Sequence, residues 1–110
     1  MNKSVDEIIT SGRFKGYNVT VFSEIPLLDI EEIYNLASRY NIGFIIDLEK
    51  KIATPFVIYS VFSYKKISEI QSILSKYSKY IKVIKNLSFE KFLEYLKNKR
   101  KGSILPKEVI

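Results

Sequence analysis

A chain of 110 residues with 46% apolar and 27% charged side chains has the composition of a single globular domain, long enough to bury about 65% of its unfolded surface. With no cysteine and no histidine it can form no disulfide, no thiolate or imidazole metal site, no thiol nucleophile and no triad with a histidine base. Its net charge of +6 is unevenly laid out: residues 1–40 carry four basic and six acidic side chains, residues 41–110 fourteen and six, so the later part should attract polyanions.

In chain order, Ser4 and Glu7 have capping-box spacing and predict a helix over about residues 5–11. YNVTVF alternates β-branched and aromatic residues and predicts a strand over 17–23, which Pro26 ends or confines to an edge. Asp29 and Glu32 form a second capping box, and Ile30, Ile33, Tyr34, Leu36 and Ala37 make the apolar stripe of a helix that Asn41 closes. IGFII and ATPFVIYSV then read as strands over 42–48 and 53–62 around the polar turn DLEKK. Phe56 and Ile58 point one way and Val57, Tyr59 and Val61 the other, as in a central strand covered on both faces, with Pro55 expected where that strand begins. A helix over 64–80 turns Ile67, Ile70, Ile73, Leu74 and Tyr77 inward, a short strand over 81–85 follows, and Ser88 caps a last helix with Phe89, Phe92, Leu93 and Leu96 on its core side.

The division expected is a domain over residues 1–101 and a short tail over 102–110, SILPKEVI preceded by Gly102, with no partner within the domain. MNKSVDEIITSG lacks the apolar core of a secretory leader and no apolar run approaches the ~20 residues of a membrane span, so a cytoplasmic protein without a membrane partner is expected. The excess of lysine, isoleucine and tyrosine resembles a heat-adapted composition.

The element order α-β-α-β-β-α-β-α predicts an α/β domain on a mixed four-stranded sheet and fits two architectures. A ferredoxin-like sandwich takes strands 17–23, 42–48, 53–62 and 81–85 with helices 29–40 and 64–80 as βαββαβ, the terminal helices being additions. The other is carried by Glu7 on the leading helix and by FVIYSV, KKISEIQSILSKYSKY and IKVIKN before a closing helix. In that pattern, over roughly residues 4–100, the chain resembles the restriction-endonuclease-like fold of archaeal Holliday-junction resolvases. The resemblance implies nucleic-acid chemistry with an acid on one strand and acid-x-lysine on the next, holding Mg²⁺ and steadying the attacking water. Here that strand is FVIYSV, with neither acid nor lysine, which argues against catalysis. A displaced site would have to be assembled from Glu7, Glu24, Asp47, Glu49 and Lys51, residues that serve equally as caps and turn polarity.

The resemblance and the charge asymmetry together imply a non-catalytic protein that binds nucleic acid, or assists an enzyme acting on it, and needs no cofactor. Tyr59, Tyr64, Tyr77 and Tyr80 interleave with Lys65, Lys66, Lys76, Lys79, Lys82 and Lys85, the mix that stacks bases and neutralises phosphates. Lys97, Lys99, Arg100 and Lys101 extend this basic face at a helix C-terminus, where the helix dipole also favours cations. The same lysines and tyrosines would serve as a solvated face over ordinary core rings. The alternatives left open are a protein-association module, as a homodimer or in a larger complex, and a metal-dependent nuclease with the displaced acidic site.

Overall fold

The sequence alternation at NVTVF sets the central ladder. In a computed structural model, which describes residues 14–59, 66–99 and 102–104, Asn18–Phe22 forms strand β1, with Val19 and Val21 buried on one face of the sheet and Thr20 and Phe22 on the other. Short β2 (Ile25–Pro26) continues in the same direction and leads to helix α1 (Ile30–Tyr40). Strands β3 (Gly43–Asp47) and β4 (Ile52–Tyr59) form the expected hairpin, α2 (Lys66–Leu74) connects to β5 (Val83–Ser88), and α3 (Phe89–Lys99) precedes β6 (Gly102–Ile104).

The strands lie in the order β5-β1-β4-β3-β6, with β2 also on β4, and every pairing is antiparallel. This corrects the mixed four-stranded sheet: β4 and β5 do point the same way, but β1 lies between them. The tail is corrected too, because Ser103 and Ile104 pair with Ile45 and Phe44 on the edge of β3. Pro55 falls inside β4, not at its start. Its missing amide hydrogen is accommodated because the ladder to β1 ends at Val21↔Phe56 and resumes at Ile25↔Ala53 one residue out of register, a bulge opposite the proline.

Helices cover both faces. Ile33, Leu36 and Ala37 of α1 and Ile70 and Leu74 of α2 close over Phe22, Phe44, Ala53 and Val57. On the other side Phe89, Phe92, Leu93 and Leu96 of α3 close over Val19, Val21, Ile45 and Phe56. A Cα radius of gyration of 12.9 Å is that of one domain of this length, for which about 13 Å is usual. The capping residues are those the sequence indicates, although Glu32, the expected second member of the Asp29 capping box, has its carboxylate on the Tyr77 hydroxyl. Asp29 Oδ1 accepts from the amides of Glu31 and Glu32 at 3.1 and 3.4 Å, Asn41 ends α1 in the left-handed region at φ 56°, and Ser88 Oγ accepts from Lys91 N at 3.3 Å. The α1 stripe is narrower than expected, since Ile30 and Tyr34 are exposed and Leu36 is buried. The expected helix over 5–11 and Val61 lie outside the described residues. Among the described residues no helix is long and apolar enough to cross a membrane.

Candidate nucleic-acid interface

Helix α2 ends at Leu74, six residues before the expected boundary, and the chain turns back toward the sheet. Serine chemistry accompanies the stop: Ser75 Oγ donates to Ser72 O at 2.6 Å, and Tyr77 N bonds Leu74 O at 2.9 Å in a closing turn. The Tyr77 hydroxyl donates to Glu32 on α1, and this bond, with burial, raises its pKa from 10.0 to about 12. Tyr77 thus ties the turn after α2 to α1, and Tyr59, also partly buried, is engaged within the fold: its hydroxyl lies 3.2 Å from Thr20 Oγ1, which donates to Asn86 Oδ1 at 2.8 Å. Thr20 is fully buried and needs such partners.

The stretch from Lys79 to Lys82 is held from both sides. Ser23 N donates to Lys82 O at 2.8 Å, Lys82 N donates back to Ser23 Oγ at 3.0 Å, and Ser23 Oγ reaches Tyr80 O at 3.3 Å. Gln71 Nε2 on α2 donates to Ile81 O at 2.8 Å, while the Ile81 side chain enters the core. Between this stretch and α2 runs an open groove of about 590 Å³, one wall of which carries Ser68 and Ser72 of α2 with Ser75 in the turn after it, and the other Lys79, Tyr80 and Lys82. Among the described residues no acidic side chain lines it. Tyr80 is 75% exposed, and Lys79 Nζ lies 5.7 Å from its ring centroid.

The predicted basic residues are therefore not brought to one face. Lys79 and Lys82 meet in the groove, and Lys76 is exposed in the turn after α2. Lys85 pairs with Val21, so its side chain is on the α3 face, where Nζ lies 5.3 Å from the Tyr95 ring. Lys97 is exposed on α3. Lys66 and Lys99 lie at helix ends and their side chains, like Lys65, Tyr64, Arg100 and Lys101, are outside the described residues.

The proposed acidic set divides as well. Glu24 and Asp47 line a separate cleft of about 90 Å³ with Lys50, Thr54 and Tyr95, while Glu49 and Lys51 are not in its lining and Glu7 is outside the described residues. Asp47, 8% exposed, accepts from Lys50 N at 3.0 Å, the turn role that its position at a hairpin end predicts. Among the described residues no three acidic side chains are grouped so as to hold a metal ion.

Sequence reading missed the serine wall and the two anchors. The wall was visible as Ser68, Ser72 and Ser75 at helical spacing. Ser23 carries no local signal, since its partners are 57 and 59 residues away. Compared with known proteins, the chain matches no family model, no curated protein and no solved structure.

Proposed function

We propose that the chain is a ferredoxin-like module with an added C-terminal helix that binds nucleic acid, without performing chemistry on it, through the groove between α2 and residues 79–82. For the fold, the support is the order βαββαβ over β1, α1, β3, β4, α2 and β5 with the strands arranged β5-β1-β4-β3. The crossover that suggested a nuclease fold would need β4 beside β5, and β1 intervenes. For the function, one observation carries the reading: an exposed tyrosine, anchored through its backbone, sits between two lysines in a groove with no acid among its described lining residues. Phosphates are met by Lys79 and Lys82 and sugar or phosphate oxygens by the serine hydroxyls. A four-stranded sheet of this order can offer an open face to bases, but α3 fills that face here, which directs binding to the helical side.

The test is fluorescence anisotropy with labelled DNA and RNA across a salt series. Binding at low ionic strength should weaken with salt, and the doubly substituted Lys79→Ala, Lys82→Ala chain should lose about 1.4 to 1.8 units from the log-log salt slope. Absence of binding at low salt overturns the proposal. The protein-association reading has one observation in its favour, the exposed pair Ile30 and Tyr34 (55% and 53%) one turn apart on α1. A mass that rises with concentration in light scattering and falls back on Tyr34→Ser would support it.

A further inference from the structure

Given that reading of the groove, we infer that its ligand is a single strand with one base stacked on Tyr80, and not a duplex. The ring's exposure does not come from a loosely held backbone. Ser23 binds the backbone at Tyr80 and at Lys82, Gln71 binds it at Ile81, and Ile81 is plugged into the core between them. A large apolar surface is thus presented at a fixed place, with little ordering left to be done on binding. Such a platform is of use only to a base whose π face is free, which a strand offers and a stacked duplex withholds.

The charge count points the same way. A duplex site engages many phosphates over a broad surface, commonly six to ten or so. Among the described residues this groove offers Lys79 and Lys82 on one wall and the hydroxyls of Ser68, Ser72 and Ser75 on the other. Two cations suit one or two phosphates. The volume of about 590 Å³ takes a nucleotide or two, not the width of a double helix. In this arrangement Tyr80 provides stacking, Lys79 and Lys82 the phosphate contacts, Ser68 and Ser72 hydrogen bonds to sugar or phosphate, and Ser23 and Gln71 act as positioning residues.

The experiment uses the full chain and three fluorescein-labelled probes: an eight-nucleotide strand, its blunt duplex, and the same strand with abasic sites. Each is titrated against wild type, Tyr80→Phe and Tyr80→Leu at one fixed salt concentration. We expect the strand to bind on the order of tenfold more tightly than the duplex and than the abasic strand. Tyr80→Phe should match wild type. Tyr80→Leu should lose roughly tenfold on the normal strand and nothing on the abasic one, with circular dichroism melting unchanged because the side chain is exposed. A duplex bound as tightly as the strand, or a Tyr80→Leu loss that persists on the abasic probe, overturns the stacking inference while leaving nucleic-acid binding standing. If neither strand nor duplex binds at low salt, both fail together.

Discussion

Alanine at Gly43 would intrude on the centre of the α3-side core. Gly43 pairs with Phe56, and a Cβ built on it would stand 2.2 Å from Cζ, 2.5 Å from Cε2 and 2.7 Å from Cε1 of that ring. Carbon atoms in contact sit about 3.5 to 4.0 Å apart, so the ring would have to retreat by roughly 1.3 Å or more. It has little room: Phe56 is fully buried, and the Phe92 ring of α3 packs on it, tilted by 48°, at a 4.6 Å centroid separation. Overpacking such a site costs about 1 to 3 kcal/mol, and disturbing the ring pair about 0.5 to 1.5 kcal/mol more. Relief of glycine's backbone entropy offsets about 0.5 to 1 kcal/mol. The net expectation is a loss of about 2 to 3 kcal/mol, a lowering of Tm by roughly 10 to 20 °C in a domain of this size. Urea unfolding followed by circular dichroism gives the free energy, and the decisive comparison is a double-mutant cycle with Phe56→Leu. On that background Gly43→Ala should be close to neutral. Should Gly43→Ala alone stay within about 0.5 kcal/mol of wild type, or cost as much with the ring removed, the pairing of Gly43 with Phe56 is wrong.

Two further outcomes follow from single hydrogen bonds. The Tyr77 pKa lies at about 12 in the folded chain against 10.0 for the free group, so the stabilisation it represents is complete below pH 10 and is lost as pH rises through 12. Because the group is partly exposed, its worth is set at about 1 kcal/mol, and Tyr77→Phe should cost that much in denaturant unfolding at pH 8, with the gap to wild type closing above pH 10. Ser88→Ala removes the oxygen that accepts from Lys91 N and should cost about 1 kcal/mol, or roughly 4 to 8 °C, whereas Ser88→Asp should keep most of it; equal Tm values for all three chains would discount the cap.

Local chemistry was legible in the sequence where it is self-contained. Asp29, Asn41 and Ser88 mark helix ends because their side chains or left-handed conformations answer needs within one turn. The two-sided apolar run at Phe56–Tyr59 identified a central strand because only burial on both faces explains it. Strand order was not legible, since β1 is apolar enough to sit beside either β4 or β5 and in fact pairs with both. The α1 stripe is narrower than its hydropathy predicts, with Ile30 and Tyr34 exposed, because hydropathy alone does not say how wide a packing surface lies beneath a helix. Among the candidate tyrosines, Tyr59 and Tyr77 look like Tyr80 in sequence. Only the distant partners Thr20 and Glu32 reveal that the first two are structural and the third is open.

The described lysines in the second half of the chain fall into two separable sets. Among the described strands β5 pairs only with β1 and forms the sheet's edge. Its ladder shifts register between Val21 and Phe22, opposite Ile84 and Lys85, and Lys82 and Lys85 bracket the exposed Ile84. A bulge with flanking lysines is a common way to keep such an edge from pairing with another strand, and it requires no ligand. Lys85 serves that end, with its cation beside Tyr95 on the face opposite the groove. Lys79 serves no edge: it lies before the strand, against the exposed ring of Tyr80, across from a wall of hydroxyls. Of the charges that made the sequence look like one basic surface, Lys79 is the one whose place edge protection leaves unexplained, and the groove binding proposed above would give it a role.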